Sequence, residues 1–199
     1  MIRTRLDQVL TGTPKPFRDG GEMSAIAKIA TDRPLMLGFL GLEGNEVADP
    51  VHHGGPDKAV HLYPVEHYAY WRDRYPDVSV LDQPGAFGEN FSSEQLTESE
   101  LCLGDIFRVG EALIQCSHAR QPCWKLNHHF GKPDVLKTVI KTAKSGSYFR
   151  VLEEGRVQAS TRGREPRSGR FQKIRCSRTP GGSGPPDWRM PDGAIRCAF

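Results

Sequence analysis

No apolar run in this 199-residue sequence approaches the roughly 18–20 residues that cross a bilayer, which excludes a helical membrane span. The opening Met1-Ile2-Arg3-Thr4-Arg5-Leu6-Asp7 lacks the apolar centre of a secretory signal, so a soluble, cytoplasmic protein is expected. Cysteine is scarce. The five present are odd in number and irregularly spaced, which argues against a secreted disulfide framework. Neither a G-x-G-x-x-G nor a G-x₄-G-K-[ST] phosphate loop occurs, and no flavin or iron–sulfur motif is visible. No repeat recurs at solenoid spacing. The hydrophobic fraction, 37%, is low for a globular domain but not low enough for disorder throughout.

Charge is unevenly placed. Residues 160–199 carry nine Lys/Arg against three acids, a net +6, and the preceding body is −3. The overall +3 therefore belongs to the tail, and nucleic-acid binding cannot be inferred from it. The tail also holds 11 Gly and Pro, and its sparse apolar residues follow neither the helical nor the strand period. The division expected is a folded domain over 1–159 and a basic, disordered tail over 160–199.

Within the body the pattern is mostly that of strands. Ser24–Ala30 reads as a strand ended by Asp32-Arg33-Pro34, and Leu35–Leu40 is a further apolar run. Pro64–Tyr75 reads as a helix with proline at its start and Val65, Tyr68, Trp71 or Arg72, and Tyr75 at helical spacing. Ile106–Val109 and Ala112–Cys116 flank Gly110-Glu111, a two-residue hairpin turn with glycine first. Pro133–Lys144 reads as a helix with Val135, Leu136, Val139 and Ile140 on one face. Tyr148–Leu152 and Arg156–Ala159 read as strands.

The chemistry concentrates in Cys116-Ser117-His118-Ala119-Arg120-Gln121-Pro122-Cys123-Trp124-Lys125-Leu126-Asn127. Pro122 suits a helix start, which would put Cys123 in the first turn, where free amides, the helix dipole, Arg120 and Lys125 favour a thiolate. Cys116, His118, Cys123, His128 and His129 lie close in sequence, but their spacing matches no paired zinc knuckle. A cysteine hydrolase would need a base, for which His53, His61 or His118 is available. Two glycine turns carry polar neighbours. His53-Gly54-Gly55-Pro56-Asp57-Lys58 offers exposed amides and a cation suited to a phosphate, and Gly85-Ala86-Phe87-Gly88-Glu89-Asn90 offers an acid and an amide. Each also reads as an ordinary polar turn. Cys102 reads as core, and Cys176 and Cys197 as tail.

Four ordered segments, His53–Val60, Gly88-Glu89-Asn90, Gly104–Arg108 and Arg120–Asn127, resemble the MOSC domain, and within it the YiiM-like bacterial subgroup. The resemblance runs from about Ser24 to Gln158. It implies a mainly β, compact, β-barrel-like fold with a few peripheral helices. It also implies that Cys123 ligates the metal of a molybdenum cofactor (molybdenum–pyranopterin). His53, Gly54, Gly55, Lys58, Asn90, Arg120, Lys125 and Asn127 would bind that cofactor. His53, Asp57 and Glu89 would join Cys123 in catalysis as proton relays, with His61 another. The implied activity is reduction of N-hydroxylated compounds such as purine base analogues, with electrons from a separate NAD(P)H-dependent reductase and no nucleic-acid or membrane partner. The alternative is a sulfur or cofactor carrier with a persulfide on Cys123. Sulfurase relatives join the domain to a pyridoxal-phosphate desulfurase, which this chain lacks.

The sequence departs from the family pattern at its end. Members usually carry tryptophan near Ser147 and Gly-Asp near Ser160-Thr161, then a closing strand and a small helical domain. Here the resemblance stops near Ala159, and the residues beyond it look like a frame-shifted reading. A missing closing strand is the expectation.

Overall fold

The computed structural model describes residues 3–17, 21–160 and 169–175. The strands in chain order are β1 (Arg3–Arg5), β2 (Gln8–Thr11), β3 (Lys15–Phe17), β4 (Glu22–Ser24), β5 (Ile29–Ala30), β6 (Leu35–Gly38) and β7 (Gly41–Leu42). They continue with β8 (Val60–Pro64), β9 (Phe91–Ser93), β10 (Ile106–Val109), β11 (Ala112–Ala119), β12 (Ser147–Glu153), β13 (Gly155–Val157) and β14 (Arg170–Arg175). The helices are α1 (Pro50–His53), α2 (His67–Arg74), α3 (Lys125–Phe130) and α4 (Val135–Thr142). None is long and apolar enough to cross a membrane among the described residues.

A nine-stranded sheet runs in the order β1-β14-β10-β11-β12-β8-β9-β2-β5, antiparallel except for the β8–β9 pair. The mainly β expectation holds. Closure into a barrel is not seen, because no ladder joins the two ends of that order among the described residues. Only Leu6 and Asp7 separate β1 from β2, although these strands stand at and next to opposite ends. The chain itself therefore draws the two edges of the sheet together.

Strand alternation sorts the side chains into two cores. Ile114 and Cys116 of β11, Phe149 and Val151 of β12, and Val60 and Leu62 of β8 point into one core with Leu6, Phe91, Phe107 and Phe171. Tyr63 points the other way, into a second core with Tyr68, Trp71 and Tyr75 from α2, Phe87, Leu126, and Val135 and Val139 from α4. Its ring stacks on Phe87 at 4.1 Å, and its hydroxyl accepts from Trp71 Nε1 at 2.6 Å. Burial of this kind, at about 25 cal/mol per Å² of apolar surface, is the main source of stability. β8 is buried along its whole length because it lies between the two cores.

The hairpin forms as expected, with Gly110 at φ +59° and pairing from Ile106↔Gln115 to Val109↔Ala112. Four expectations are corrected. The run from Ser24 to Ala30 is not one strand. Ser24 ends β4, Ala30 pairs with Leu10, and residues 25–28 leave the ladder to bring Lys28 to Asn45. Pro64 does not start a helix. It ends β8 opposite Ser93, continuing the buried Val60–Tyr63 run, and α2 begins at His67. On α4 the inward positions are Val135, Thr138 and Val139, and Ile140 is 66% exposed, because the helix is rotated to bring Thr138 to the Tyr75 hydroxyl. Finally, residues 170–175 of the expected tail form β14, paired with both β1 and β10. The remainder of that expectation, over 161–168 and 176–199 with Cys176 and Cys197, lies outside the described residues.

Candidate functional site

The alternation that buries Phe149 and Leu62 turns Tyr148 and His61 to the other face of the same strands, and a register shift in β11 between Cys116 and His118 brings a third ring, His118, onto that face. His118 of β11 is in register with Tyr148 of β12, and Tyr148 with His61 of β8. The rings stand 5.1 and 5.2 Å apart. Two hollows open on this face: an inner cavity of about 110 Å³ and an outer cleft of about 550 Å³. They share a wall made by Asp49, His53, Lys58, Cys123, Lys125 and Tyr148.

Cys123 reaches that wall from the loop that follows β11. It does not lie in the first turn of a helix, as the sequence suggested. α3 begins at Lys125, and the Cys123 carbonyl accepts from Leu126 N at 3.2 Å. The thiol is half-buried. Cys116 is a different case. Burial, with Asp105 and Cys102 nearby, pushes its thiol up to about 12, so it is an inert core group. Cys102 is buried as well. The zinc grouping does not assemble: among the described residues no three His, Cys, Asp or Glu side chains could jointly hold a metal.

Cations converge around Cys123. Arg120, the last residue before the loop, is only 7% exposed. Its Nη2 donates to the Phe87 carbonyl at 3.2 Å, and its Nη1 is buried with no partner among the described residues. A buried guanidinium nitrogen left unsatisfied costs about 1–3 kcal/mol or more, so the site favours an incoming acceptor. Lys58 donates to the His52 carbonyl and Lys125 to the Met23 carbonyl, so both ammoniums are anchored without a carboxylate among the described residues. His53 ends α1, a single turn set by Asp49, which accepts from His52 N at 3.1 Å, with Pro50 first. Burial lowers the His53 pKa. Asp49 opposes that shift, and Lys125, Arg120 and Lys58 add to it, so the ring is neutral at pH 7. His61 is held well below its ordinary value by burial and then by Arg120, with Nε2 3.2 Å from the Ser145 carbonyl.

Of the residues expected at the site, His53, Lys58, His61, Asn90, Arg120, Cys123 and Lys125 line the hollows. The Asn90 amide is already engaged, accepting from His61 N and donating to the Leu10 carbonyl, both at 3.2 Å. Gly54, Gly55, Asp57, Glu89 and Asn127 are not on the wall. Asp57 pairs with Arg150 at 2.8 Å on the surface. Glu89 is folded into its own turn, where its oxygens accept from Tyr68 Oη (2.5 Å), Gly85 N (2.6 Å) and Phe87 N (3.0 Å). Gly85 and Gly88 have φ of +113° and +74°, which lets the backbone wrap that carboxylate. Asn127 joins α3 to α4, donating to the Pro133 carbonyl at 2.8 Å and accepting from Leu136 N at 2.7 Å.

Sequence reasoning missed Tyr148 and Lys28. Tyr148 lines both hollows, and burial raises its pKa, so the phenol stays protonated. Lys28 lines the inner cavity, with Nζ donating to Asn45 Oδ1 at 2.7 Å. The available signal was a single cation inside the apolar run Ala25–Ala30.

The MOSC domain family model matches residues 49–162. The chain is 49% identical over 151 residues to Protein YiiM of Escherichia coli, which covers 76% of this chain and 67% of that protein. It is 39% identical over 152 residues to a protein of Gibberella moniliformis named Reductase, covering 75% of this chain but only 27% of that one. Among solved structures, the crystal structure of YiiM from Escherichia coli superposes with a TM-score of 0.68 at 36% identity, covering 88% of this chain and 71% of that one. YiiM from Geobacillus stearothermophilus superposes with a TM-score of 0.67 at 35% identity, covering 86% and 75%.

Proposed function

Because this chain belongs to the MOSC domain family, we propose that it holds a molybdenum cofactor against Cys123 and reduces N-hydroxylated compounds, purine base analogues among them. The observation that carries this reading is the Nη1 of the buried Arg120, without a partner among the described residues, in a cavity that has Cys123 in its wall. The donor set fits such a group. A pyranopterin-held metal needs only one soft protein ligand, which Cys123 supplies, and its phosphate needs cations rather than a cluster of acids. Arg120, Lys58 and Lys125 would hold the anionic end, and Asn90, with its amide locked, would shape the cavity beside it. When bound, the cofactor supplies a two-electron centre able to accept the oxygen of an N–O bond.

The chain's own residues bind, orient and move protons. Converting R–NH–OH to R–NH₂ and water takes two electrons and two protons. The electrons are assigned to a separate NAD(P)H-dependent reductase. His53 is the proton-carrying residue, since it is half-buried on the shared wall and neutral at pH 7. Glu89 and Asp57 do not share that role, because the first is tied into its turn and the second faces Arg150.

Metal analysis tests the reading on protein made in a host that synthesises the cofactor. The expected result is one molybdenum per chain, lost in Cys123→Ala, with turnover of 6-N-hydroxylaminopurine by the wild type when a reductase is supplied. Undiminished molybdenum in Cys123→Ala, or a persulfide on Cys123 with no molybdenum in the wild type, would overturn it.

A further inference from the structure

Trp124 directly follows Cys123 and leads into α3. Its backbone is already helical, at φ −57° and ψ −23°, and its carbonyl accepts from Asn127 N at 3.0 Å. Phe17, the last residue of β3, braces the indole. Its ring stands 6.1 Å from that of Trp124, centroid to centroid, and 4.5 Å from that of His128, one helical turn further along. Backbone and neighbours thus fix where the indole stands. It is nevertheless 39% exposed, and it lines the outer cleft rather than the inner cavity.

The rest of that cleft suits a planar ring. Val51 of α1, 82% exposed, lines it, and so do Pro122 and the rings of Tyr148 and His118, which stand 5.1 Å apart. At about 550 Å³ the cleft falls within the roughly 300–1,000 Å³ of pockets that take whole small molecules. A flat heterocycle laid on the indole takes apolar surface of both rings out of water, and offset stacking adds to that gain. An aliphatic N-hydroxy compound has no such face to offer. Because Trp124 is the neighbour of Cys123 in the chain, a ring stacked on it lies beside the wall that carries the thiol.

We propose that Trp124 is the platform on which the heteroaromatic ring of the substrate stacks, and so the residue that sets a preference for N-hydroxylated purines over aliphatic N-hydroxy compounds. This deepens the proposed function and rests on it for the reduction of the N–O bond. The stacking itself requires only the chain's own rings.

The test uses full-length protein from a host that makes the molybdenum cofactor, with metal content measured on the same samples. Binding is read with adenine, which has the purine ring but no N–O bond to reduce, by calorimetry and by tryptophan fluorescence. Wild type is expected to bind adenine with quenching of its fluorescence. Trp124→Leu should bind about tenfold or more weakly, the scale set by stacking of one base on one aromatic side chain. Trp124→Tyr, which keeps a stacking face, should retain most of the affinity and lose most of the quenching. In turnover with a reductase supplied, the ratio of kcat/KM for 6-N-hydroxylaminopurine to that for N-methylhydroxylamine should fall about tenfold in Trp124→Leu, through KM for the purine, and recover in Trp124→Tyr. Melting temperatures check that each variant folds, and if Trp124→Leu does not, the fluorescence of the other two proteins decides. Adenine affinity in Trp124→Leu equal to wild type, an equal loss in both variants, quenching undiminished in Trp124→Tyr, or no adenine binding by wild type would each overturn the platform. Adenine held through Trp124 in a chain that never acquires molybdenum would keep the platform and remove the cofactor reading. Bound molybdenum with adenine affinity undiminished in Trp124→Leu would do the reverse.

Discussion

Glu98 Oε2 stands 2.6 Å from His67 Nε2, and both side chains are 7% exposed. The other oxygen of Glu98 accepts from Ser145 N at 2.9 Å and Gly146 N at 2.7 Å. One carboxylate thus ties the start of α2 to the turn that leads into β12. Ser145 in turn holds His61 through its carbonyl. Glu98→Ala leaves Nε2 of the buried His67 and the Gly146 amide unpaired, and should lower unfolding free energy by about 3–5 kcal/mol. Urea denaturation at pH 7 measures this.

The same carboxylate sets an acid limit. Burial raises the Glu98 pKa, but the bond from His67 and the amide of Gly146 outweigh it, so the net shift is below the ordinary 4.5. A depressed carboxylate stabilises the fold above its unfolded pKa and loses that contribution as pH falls through the folded value. The melting temperature of wild type should therefore drop steeply below about pH 4.5, and that of Glu98→Gln less so. Equal slopes in the two proteins between pH 6 and pH 3 would contradict this.

Gly146 adopts φ +77°, and a Cβ there would collide with the Leu62 carbonyl and lie 2.7 Å from His61 Nε2. Gly146→Ala combines positive-φ strain with a displaced His61. It should cost about 1–3 kcal/mol and disturb the inner cavity, seen as lost phosphate affinity in protein that still folds.

Phe171 is fully buried, with its ring 5.9 Å from Phe91 and 6.3 Å from Phe107. Phe171→Ala should destabilise by about 3–5 kcal/mol. A chain ending at residue 168 should lose cooperative unfolding by circular dichroism, because β1 loses its ladder partner and β10 one of its two among the described residues.

Arg120→Met removes a buried cation with an unsatisfied nitrogen. The variant should melt at the same temperature as the ligand-free wild type or higher, yet bind phosphate far more weakly. A large fall in melting temperature would mean that Arg120 serves the fold rather than the ligand.

Much of this was legible in the sequence where the signal is local. Gly110 at the first turn position and the alternation either side of it define the β10–β11 hairpin, and the grouping of Arg120, Cys123 and Lys125 with His53 and Lys58 marks the lining of the inner cavity. Signals that depend on tertiary placement were not legible. Lys28 sat in an apolar run that suggested a strand, so nothing local showed that residues 25–28 would swing it inward. Asn127, Glu89 and Asp57 have the chemistry of a site, but nearby backbone groups or Arg150 claim each of them. β14 was hidden by an inverted pattern. Ile174 is 54% exposed, whereas Lys173 turns toward the fully buried Asp105 and pairs with it.

The pairing of β1 with β14 also sets the order in which the molecule can be made. Thr4 faces Phe171, so among the described residues β1 has β14, more than 160 residues later, as its only ladder partner. Until that partner arrives the N-terminal edge stays open, and contacts of such long sequence separation form slowly. Assembly of the sheet therefore waits for residues 170–175. Chaperone dependence during translation should fall if β14 is moved, by circular permutation, to a position ahead of β1.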